Sequence, residues 1–284
     1  MTEIGGSNAS LAIPIPGRPD AVVTIAWAAA TDTGKRRSAN EDSYVAKSPL
    51  FAVADGMGGH SAGDLASAAV VERLAEIVGS DFLAPRTIER ALERATADIT
   101  TIAGDSELGV GTTVTGAALT LQEKDAYFAV FNIGDSRVYA FEANELVQVT
   151  VDHSVVQELV ESGALTRDEA EHHPDSNIIT RAVGFNAKPY ADFWMLPART
   201  GLRLLLCSDG LTKEVSDDRI HLHMAAGLNP VETAGALIDA ALASGGRDNV
   251  TAIIVDVLDA PEIAVVDMSQ TLDLEDTAPR SKGH

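Results

Sequence analysis

The 284-residue chain carries 42 acidic and 21 basic residues, a formal charge of -21, and 45% of its residues are hydrophobic. This hydrophobic content is enough for one sizeable core, and the acidic excess argues against binding nucleic acid or an anionic membrane through a basic surface. Acidity suits sites for hard cations, but it also suits a merely soluble acidic surface, so the positions of the acids must decide.

The chain shows no sign of secretion or membrane insertion. Its one cysteine, Cys207, has no partner for an internal disulfide, and its first ten residues lack a basic region followed by a long apolar core. No stretch approaches the roughly 18 apolar residues that a membrane span requires. We therefore expect a cytoplasmic protein that contacts neither membrane nor nucleic acid.

Both ends of the chain differ in composition from its middle. Residues 1–20 are rich in Pro, Gly and Ser and predict a flexible N-terminus, while residues 260–284 are acidic and polar and predict a disordered tail. Since no low-complexity linker or internal repeat interrupts residues 21–259, we expect these to form a single domain.

The order of the predicted elements indicates the fold class. Short apolar and β-branched segments predict strands at 23–30, 50–54, 112–121, 126–133, 137–143, 202–207 and 250–258. Two helices, predicted at 62–79 and 85–104, lie together between two of these strands, and further helices are predicted at 154–162 and 230–243. Helices inserted as a pair favour antiparallel sheets with segregated helices, which is an α+β layered fold.

Four aspartates lie at the ends of predicted strands. Asp55 follows the apolar segment LFAVA, Asp135 follows AYFAVFNIG, Asp209 follows LRLLLCS and Asp248 precedes VTAIIVDVL. If these strand ends meet at one edge, the carboxylates repel one another and are costly to desolvate unless a cation neutralises them. An Asp-Gly pair alone is common turn chemistry, but four such acids beside apolar strands favour a divalent-metal site.

The residue after Asp55 supports an oxygen-only ligand set. Gly56 allows the backbone to turn sharply and bring a carbonyl oxygen to a metal. Carboxylate, carbonyl and water oxygens select Mg²⁺ or Mn²⁺ over zinc. Two such ions lower the pKa of a shared water and align it for attack on phosphorus.

A charged segment precedes these aspartates. In GKRRSANED, Arg36 and Arg37 stand beside Glu41 and Asp42. Guanidinium groups suit a phosphate and the acids suit metal-bound waters, although a solvated charged turn has the same composition.

Six segments together resemble the PPM, or PP2C-type, metal-dependent protein phosphatases, the bacterial members in particular. They occur in the family's order over about residues 23–258: RSANED at 37–42, DGMGG at 55–59, GTT at 111–113, NIGDSR at 132–137, SDG at 208–210 and GRDNVT at 246–251. The resemblance implies a four-layer αββα sandwich flanked by antiparallel helix pairs. It also implies hydrolysis of phosphoserine and phosphothreonine in proteins by direct attack of a metal-bridging hydroxide, reversing a serine/threonine kinase.

The resemblance assigns roles to individual residues. Two Mn²⁺ or Mg²⁺ ions would be held by Asp55, the Gly56 carbonyl, Asp209 and Asp248, and Arg37 would grip the substrate phosphate. Around these ligands would lie Glu41, Asp42 and Asn249.

The chain departs from the family at two positions. Asp135, with Asp209, matches acids that hold a third, weaker ion in several relatives, but Lys213 stands where relatives carry a further aspartate. We expect its ammonium to repel or replace that ion, unless the adjacent Glu214 takes over. Met57 stands where animal members have a histidine proposed as the general acid, and methionine cannot donate a proton. The acid is therefore unassigned, with metal-bound water as the candidate.

Other interpretations remain open from the sequence. The chain could dephosphorylate one dedicated substrate, an anti-sigma-factor antagonist, or could be an inactive regulator that binds phosphoproteins. Cys207 suggests a cysteine phosphatase only superficially, because CSDGLTK lacks the arginine of a C-x₅-R loop and a buried thiol is favoured. We expect a monomer that acts on a phosphorylated protein, either a serine/threonine kinase or the targets of one.

Overall fold

The structure is a computed structural model that describes residues 1–58, 62–104, 109–171, 173–185 and 188–262. Its elements, in chain order, are β1 (Glu3–Gly5), β2 (Asn8–Pro14), β3 (Val22–Asp32), β4 (Asp42–Lys47), β5 (Leu50–Met57), α1 (Ala62–Glu76), α2 (Pro85–Ala103), β6 (Gly111–Thr112), β7 (Val114–Gln122), β8 (Asp125–Ile133), β9 (Arg137–Glu142), β10 (Glu145–Gln148), α3 (Val155–Glu161), α4 (Arg167–Glu171), β11 (Asp192–Pro197), β12 (Arg203–Cys207), α5 (Asp209–Thr212), α6 (Asp217–Met224), α7 (Pro230–Ser244) and β13 (Val250–Asp259).

The strands form two sheets. The first has the order β1-β4-β5-β7-β8-β11, with β6 paired to β5, and the second has the order β10-β9-β12-β13-β3-β2. Neighbouring strands are antiparallel except for β1, which runs parallel to β4. The α+β class predicted from the grouping of helices and strands is confirmed.

Three apolar clusters hold the layers together. The cluster between the sheets takes Phe51 and Phe128 from the first sheet and Leu204 and Ile253 from the second. A second cluster packs α1 and α2 on the first sheet, and a third packs α6 and α7 on the second. Full burial of one large apolar side chain contributes about 1.5–3 kcal/mol. The packing order is therefore helices, sheet, sheet and helices, in agreement with the expected αββα arrangement.

Local signals explain where the helices begin. Helix α2 starts at Pro85, a residue whose fixed φ suits a first helical position. Helix α7 starts with a capping box, in which the Asn229 side chain accepts from the backbone N–H of Glu232 at 3.1 Å and the Glu232 carboxylate accepts from the backbone N–H of Asn229 at 3.2 Å. No helix in the described ranges is long and apolar enough to cross a membrane.

The expectation of a flexible N-terminus over residues 1–20 is not met. Strand β1 pairs with β4 and strand β2 pairs with β3, so this segment extends both sheets. Its Pro, Gly and Ser content suggested a flexible segment, but two of its apolar side chains, Ile13 and Ile15, are buried in the cluster between the sheets. Most of the segment predicted as a disordered tail, residues 263–284, lies outside the described residues.

Candidate metal centre and phosphate-binding site

Strands β4 and β5 bring the first two acids together. Asp42, at the start of β4, lies directly opposite Asp55 in the register of the two strands. The backbone of Asp55 is fixed by the GTT segment, because its N–H donates to Thr113 Oγ1 at 3.1 Å and its carbonyl accepts from the Thr113 N–H at 2.9 Å. Asp55 lies within β5 rather than after it, since the strand continues to Met57.

Asp42 joins the two sheets at this edge. Its side chain is fully buried, and Oδ2 accepts from Ser208 Oγ at 2.8 Å and from Thr251 Oγ1 at 2.7 Å. The other oxygen, Oδ1, is buried and has no hydrogen-bond partner among the described residues. Asp42 is therefore a buried carboxylate held by residues of the second half of the chain.

The strand-end aspartates lie near enough for the charges of Asp135, Asp209 and Asp248 to act on Asp55. Burial raises the pKa of Asp42 to about 7, and the charges of Asp209 and Asp248 add to this effect. Burial likewise raises the pKa of Asp135 to about 7. The pKa of Asp55 lies well above its usual value because of burial and the charges of the other four aspartates. Such mutual repulsion in a desolvated site is relieved by a bound cation.

Two cationic side chains of the protein already face these acids. Arg37 donates from Nη2 to Asp248 Oδ2 at 2.8 Å, and its Nε lies 2.7 Å from the other carboxylate oxygen, Oδ1, in the same ion pair. The Lys213 ammonium forms an ion pair with Asp209 Oδ2, one helical turn earlier in the chain. The other oxygen of Asp209, Oδ1, is buried without a partner among the described residues.

Glu214 does not replace the missing aspartate. Its carboxylate accepts from Arg247 Nε at 2.8 Å and from the Arg247 backbone N–H at 3.0 Å. These hydrogen bonds lower the pKa of Glu214, against the effect of its burial. The alternative in which Glu214 supplies a third-ion ligand is therefore not supported by its position.

Asn249 fixes the segment that carries Arg37 and Glu41. Its Oδ1 accepts from the backbone N–H of Glu41 at 2.8 Å, and its Nδ2 donates to the carbonyls of Thr33 at 2.8 Å and Ala39 at 2.9 Å. Burial raises the pKa of Glu41, and the nearby Arg37 charge opposes that rise. Asn249 thus connects the start of β13 to the charged loop before β4.

Glycine at position 56 permits a close approach of three backbone segments. A Cβ there would lie 2.1 Å from the carbonyl oxygen of Gly63 in α1 and 2.7 Å from the carbonyl oxygen of Glu41. Met57 follows, pairing with Gly111 of β6, and it provides no proton donor. The rest of this motif, from Gly59, and the neighbouring His60 lie outside the described residues.

The acids fit hard cations, although their present arrangement is not a closed ligand set. With Asp248 held by Arg37 and Asp209 held by Lys213, no three His, Cys, Asp or Glu side chains of the described ranges form a group that could hold a metal ion. The unpartnered oxygens of Asp42 and Asp209, and the raised pKa of Asp55, are what a bound cation would satisfy. Oxygen-only donors suit Mg²⁺ or Mn²⁺.

Hydroxyl side chains are the part of the site that sequence reasoning missed. Ser208 and Thr251 hydrogen-bond Asp42, and Thr113 hydrogen-bonds both Asp55 and Ser136. All four lie inside the recognised motifs, and Ser136, Ser208 and Thr251 lie within three residues of an acid. Their position in those motifs was the available signal.

Two other side chains have structural surroundings, and for Cys207 these agree with the expected buried thiol. His153 is buried, with Nδ1 accepting from the backbone N–H of Gly134 at 3.0 Å and Nε2 at 2.9 Å from Asp192 Oδ2. Cys207 is fully buried, and this burial raises the pKa of its thiol to about 12, so it is no nucleophile at neutral pH.

This edge of a two-sheet α+β domain, with buried aspartates and an exposed arginine, is of the kind that binds divalent cations and phosphate. The family model described as protein phosphatase 2C matches residues 34–244. The chain belongs to the protein phosphatase 2C family.

Individual relatives agree with this assignment. The chain is 41% identical over 243 residues to the serine/threonine protein phosphatase PstP of Mycobacterium tuberculosis, covering 84% of this chain and 46% of the relative. It is 34% identical over 239 residues to the serine/threonine phosphatase stp of Listeria innocua, covering 80% of this chain and 93% of the relative. The chain thus spans about half the length of the mycobacterial protein, of which the match covers 46%.

A solved structure matches as well. The catalytic domain of the serine/threonine protein phosphatase PstP, in complex with two manganese ions, superposes with a TM-score of 0.73 at 37% identity. The match covers 84% of this chain and 99% of that domain.

Proposed function

We propose that this protein is a metal-dependent protein phosphatase that hydrolyses phosphoserine and phosphothreonine. The observation that carries the proposal is the mutual influence of the charges of Asp42, Asp55, Asp135 and Asp209. Two of these, Asp42 and Asp209, have a buried oxygen without a partner among the described residues, and Arg37 is exposed beside Asp248. Family membership and the names of the relatives support the reaction class. The structure of PstP with two manganese ions supports the number and type of ions.

The metal ligands in this proposal are Asp55, the Gly56 carbonyl, Asp209 and Asp248, with Asp135 available only to a further ion. When bound, such a pair of cations neutralises phosphate charge and lowers the pKa of a water. Asp42 would support these ligands while being held by Ser208, which follows β12, and by Thr251 of β13. Because these partners are hydroxyl groups on two different elements, Asp42 has one fixed orientation.

Arg37 would bind the phosphate while Asp248 orients it. A guanidinium has five N–H donors, and the contacts to Asp248 use Nε and Nη2. Among the described residues Nη1 has no partner, so its donors can bind a phosphate oxygen, and the side chain is 52% exposed, so a substrate can reach it. Glu41 and Asn249 hold the loop from which Arg37 projects.

The partners of the enzyme are further proposals. A phosphorylated protein is the substrate, either a serine/threonine kinase or its targets, and the protein acts in the cytoplasm as a monomer. The relatives are named serine/threonine phosphatases, which favours this function over a phosphatase dedicated to an anti-sigma-factor antagonist. The retention of all the proposed ligand acids argues against an inactive regulator.

The decisive experiment compares phosphopeptides. The purified chain is assayed with phosphothreonine, phosphoserine and phosphotyrosine peptides, with Mn²⁺ and with EDTA. We expect hydrolysis of the first two with Mn²⁺ only, lost in Asp209→Asn and retained in Asp239→Asn, which changes an exposed acid on α7. Hydrolysis that persists in EDTA, that survives Asp209→Asn or that is confined to phosphotyrosine would contradict the proposal.

A further inference from the structure

Lys213 lies beside the buried aspartates of the site, where negative charges outnumber positive ones. It follows α5, and its ammonium pairs with Asp209 Oδ2, four residues earlier. The charges of Asp135 and Asp55 also act on it. The side chain is only 34% exposed, so this contact is partly shielded from solvent.

The neighbouring arginine, Arg137, pairs with Asp152 rather than with Asp135. Arg137, two residues further along, directs Nη2 at Asp152 at 2.7 Å and Nη1 at the Tyr139 hydroxyl at 3.0 Å. The charge of Lys213 opposes the rise in the pKa of Asp135 that burial causes.

The contacts of Asp209 divide its carboxylate between two directions. Oδ2 faces Lys213, while Oδ1 is buried and unpartnered among the described residues. In the proposed metal site, Oδ1 is the atom free to bind one of the two ions, and Oδ2 stays with the ammonium. A carboxylate in place of Lys213 would instead join Asp135 and Asp209 as an oxygen ligand, which is the donor type that a hard cation requires.

We propose that the Lys213 ammonium is a built-in cation of this site, which neutralises Asp209 and Asp135 and thereby takes the place of a third metal ion. The inference rests on the proposed function, because it presumes a metal pair bound by Asp55, Asp209 and Asp248. An ammonium supplies one fixed positive charge and three N–H donors to these carboxylates. A divalent ion at the same place would face direct repulsion from it.

The test counts bound metal rather than activity. The full chain is stripped with EDTA, desalted and titrated with Mn²⁺, and bound ions are counted by native mass spectrometry and calorimetry. We expect two Mn²⁺ ions in the wild type, the number in the PstP structure. Lys213→Asp should bind one ion more, because it adds a ligand and removes the positive charge.

Two further variants keep the test decisive. Lys213→Met removes the charge without adding a ligand and should also gain an ion, bound more weakly than in Lys213→Asp. Lys124→Asp makes the same charge change in the exposed turn between β7 and β8 and should leave the count unchanged. Circular dichroism verifies that each variant is folded, and Lys213→Met remains informative if Lys213→Asp does not fold.

The outcomes separate this inference from the proposed function. An additional ion bound in the wild type as tightly as the first pair, or an unchanged count in both Lys213 variants, would overturn the role of Lys213 alone. A wild type that binds no Mn²⁺ and hydrolyses no phosphopeptide would overturn the proposed function and, with it, this inference.

Discussion

Arg37 and Asp248 are 211 residues apart in the chain, yet the guanidinium binds both oxygens of the carboxylate, with an Nε contact of 2.7 Å and an Nη2 contact of 2.8 Å. One residue is the proposed phosphate ligand and the other a proposed metal ligand. Because the two residues share this contact, the proposed metal ligand also fixes the position of the proposed phosphate ligand.

The first prediction concerns Arg37 itself. Arg37→Ala should lower kcat/KM for a phosphothreonine peptide by about 10- to 100-fold, because a hydrogen bond to a charged group contributes about 1.5–3 kcal/mol. Arg36→Ala is the matched control, since Arg36 is the exposed neighbour and should leave kcat/KM nearly unchanged. Equal losses in the two variants would contradict the assignment of the phosphate contact to Arg37.

The second prediction concerns pH and metal. The pKa values of Asp42 and Asp135 are about 7, above their usual 3.8, so the folded metal-free protein holds these protons more tightly than the unfolded chain does. The stabilisation from protonation is complete below about pH 4 and is lost as the pH rises through about 7. Bound Mg²⁺ neutralises the ionised acids and should therefore raise Tm more at pH 8 than at pH 5.

The measurement is thermal unfolding at both pH values, with Mg²⁺ or with EDTA. Asp42→Asn removes one of the titrating groups and should reduce the fall in stability of the metal-free protein between pH 4 and pH 7. Asp239→Asn, on the exposed side of α7, should not reduce it. An equal gain in Tm from Mg²⁺ at pH 5 and pH 8 would count against a cation site at these acids.

The sequence predicts the acids of the site well because their positions follow from strand ends. Asp135, Asp209 and Asp248 each flank an apolar run that proved to be a strand, and antiparallel strands return such ends to one edge. Lys213 was also visible, since it departs from a motif. The contact that its neighbour Glu214 makes with Arg247 could not be predicted from the sequence, because the two residues are 33 positions apart.

Other parts of the fold could not be predicted from local composition. Strand β4 begins at Asp42, and the charged residues before it gave the whole segment the appearance of a turn. Residues 1–20 carry the polar and glycine content of a mobile end, but Ile13 is buried between the sheets. In both places tertiary packing outweighs local composition, because the decisive partners lie on other strands.

The third prediction tests the close packing at Gly56. Gly56→Ala would place a Cβ 2.1 Å from the Gly63 carbonyl oxygen. The atoms it would meet belong to the backbone, so they cannot move aside as the end of a flexible side chain could. We expect a loss of stability of about 1–3 kcal/mol, as for overpacking, together with weaker metal binding. Urea unfolding and Mn²⁺ titration provide the two measurements.

Gly235→Ala is the matched control for that substitution. Gly235 lies inside α7, with no atom within 4 Å of an added Cβ. Alanine there should stabilise the protein by about 0.5–1 kcal/mol through helix propensity. If Gly56→Ala were as stable as the wild type, the contact between the start of α1 and the Glu41 segment would be looser than the structure indicates.

The fourth prediction concerns the buried His153, which joins the loop before Asp135 to the start of β11. Because Nδ1 accepts from the Gly134 N–H, the ring proton lies on Nε2 and is donated to Asp192, whose other oxygen lies 3.3 Å from Arg181 Nη1. His153→Ala leaves a buried N–H unpaired, which costs about 1–3 kcal/mol. We expect lower stability in urea and a lower kcat, since Gly134 directly precedes Asp135.

Asp192→Asn separates the two ends of that connection. It keeps an acceptor for the Nε2 proton but loses the charge that pairs with Arg181, so stability should fall less than in His153→Ala. His173→Ala changes a partly exposed histidine in the same region and should alter neither stability nor kcat appreciably. A stability loss in His153→Ala no greater than in His173→Ala would mean that the Gly134 hydrogen bond does not hold the Asp135 loop. In that case the position of Asp135 would depend on Asn132 instead, whose Nδ2 donates to the Gly134 carbonyl at 3.0 Å.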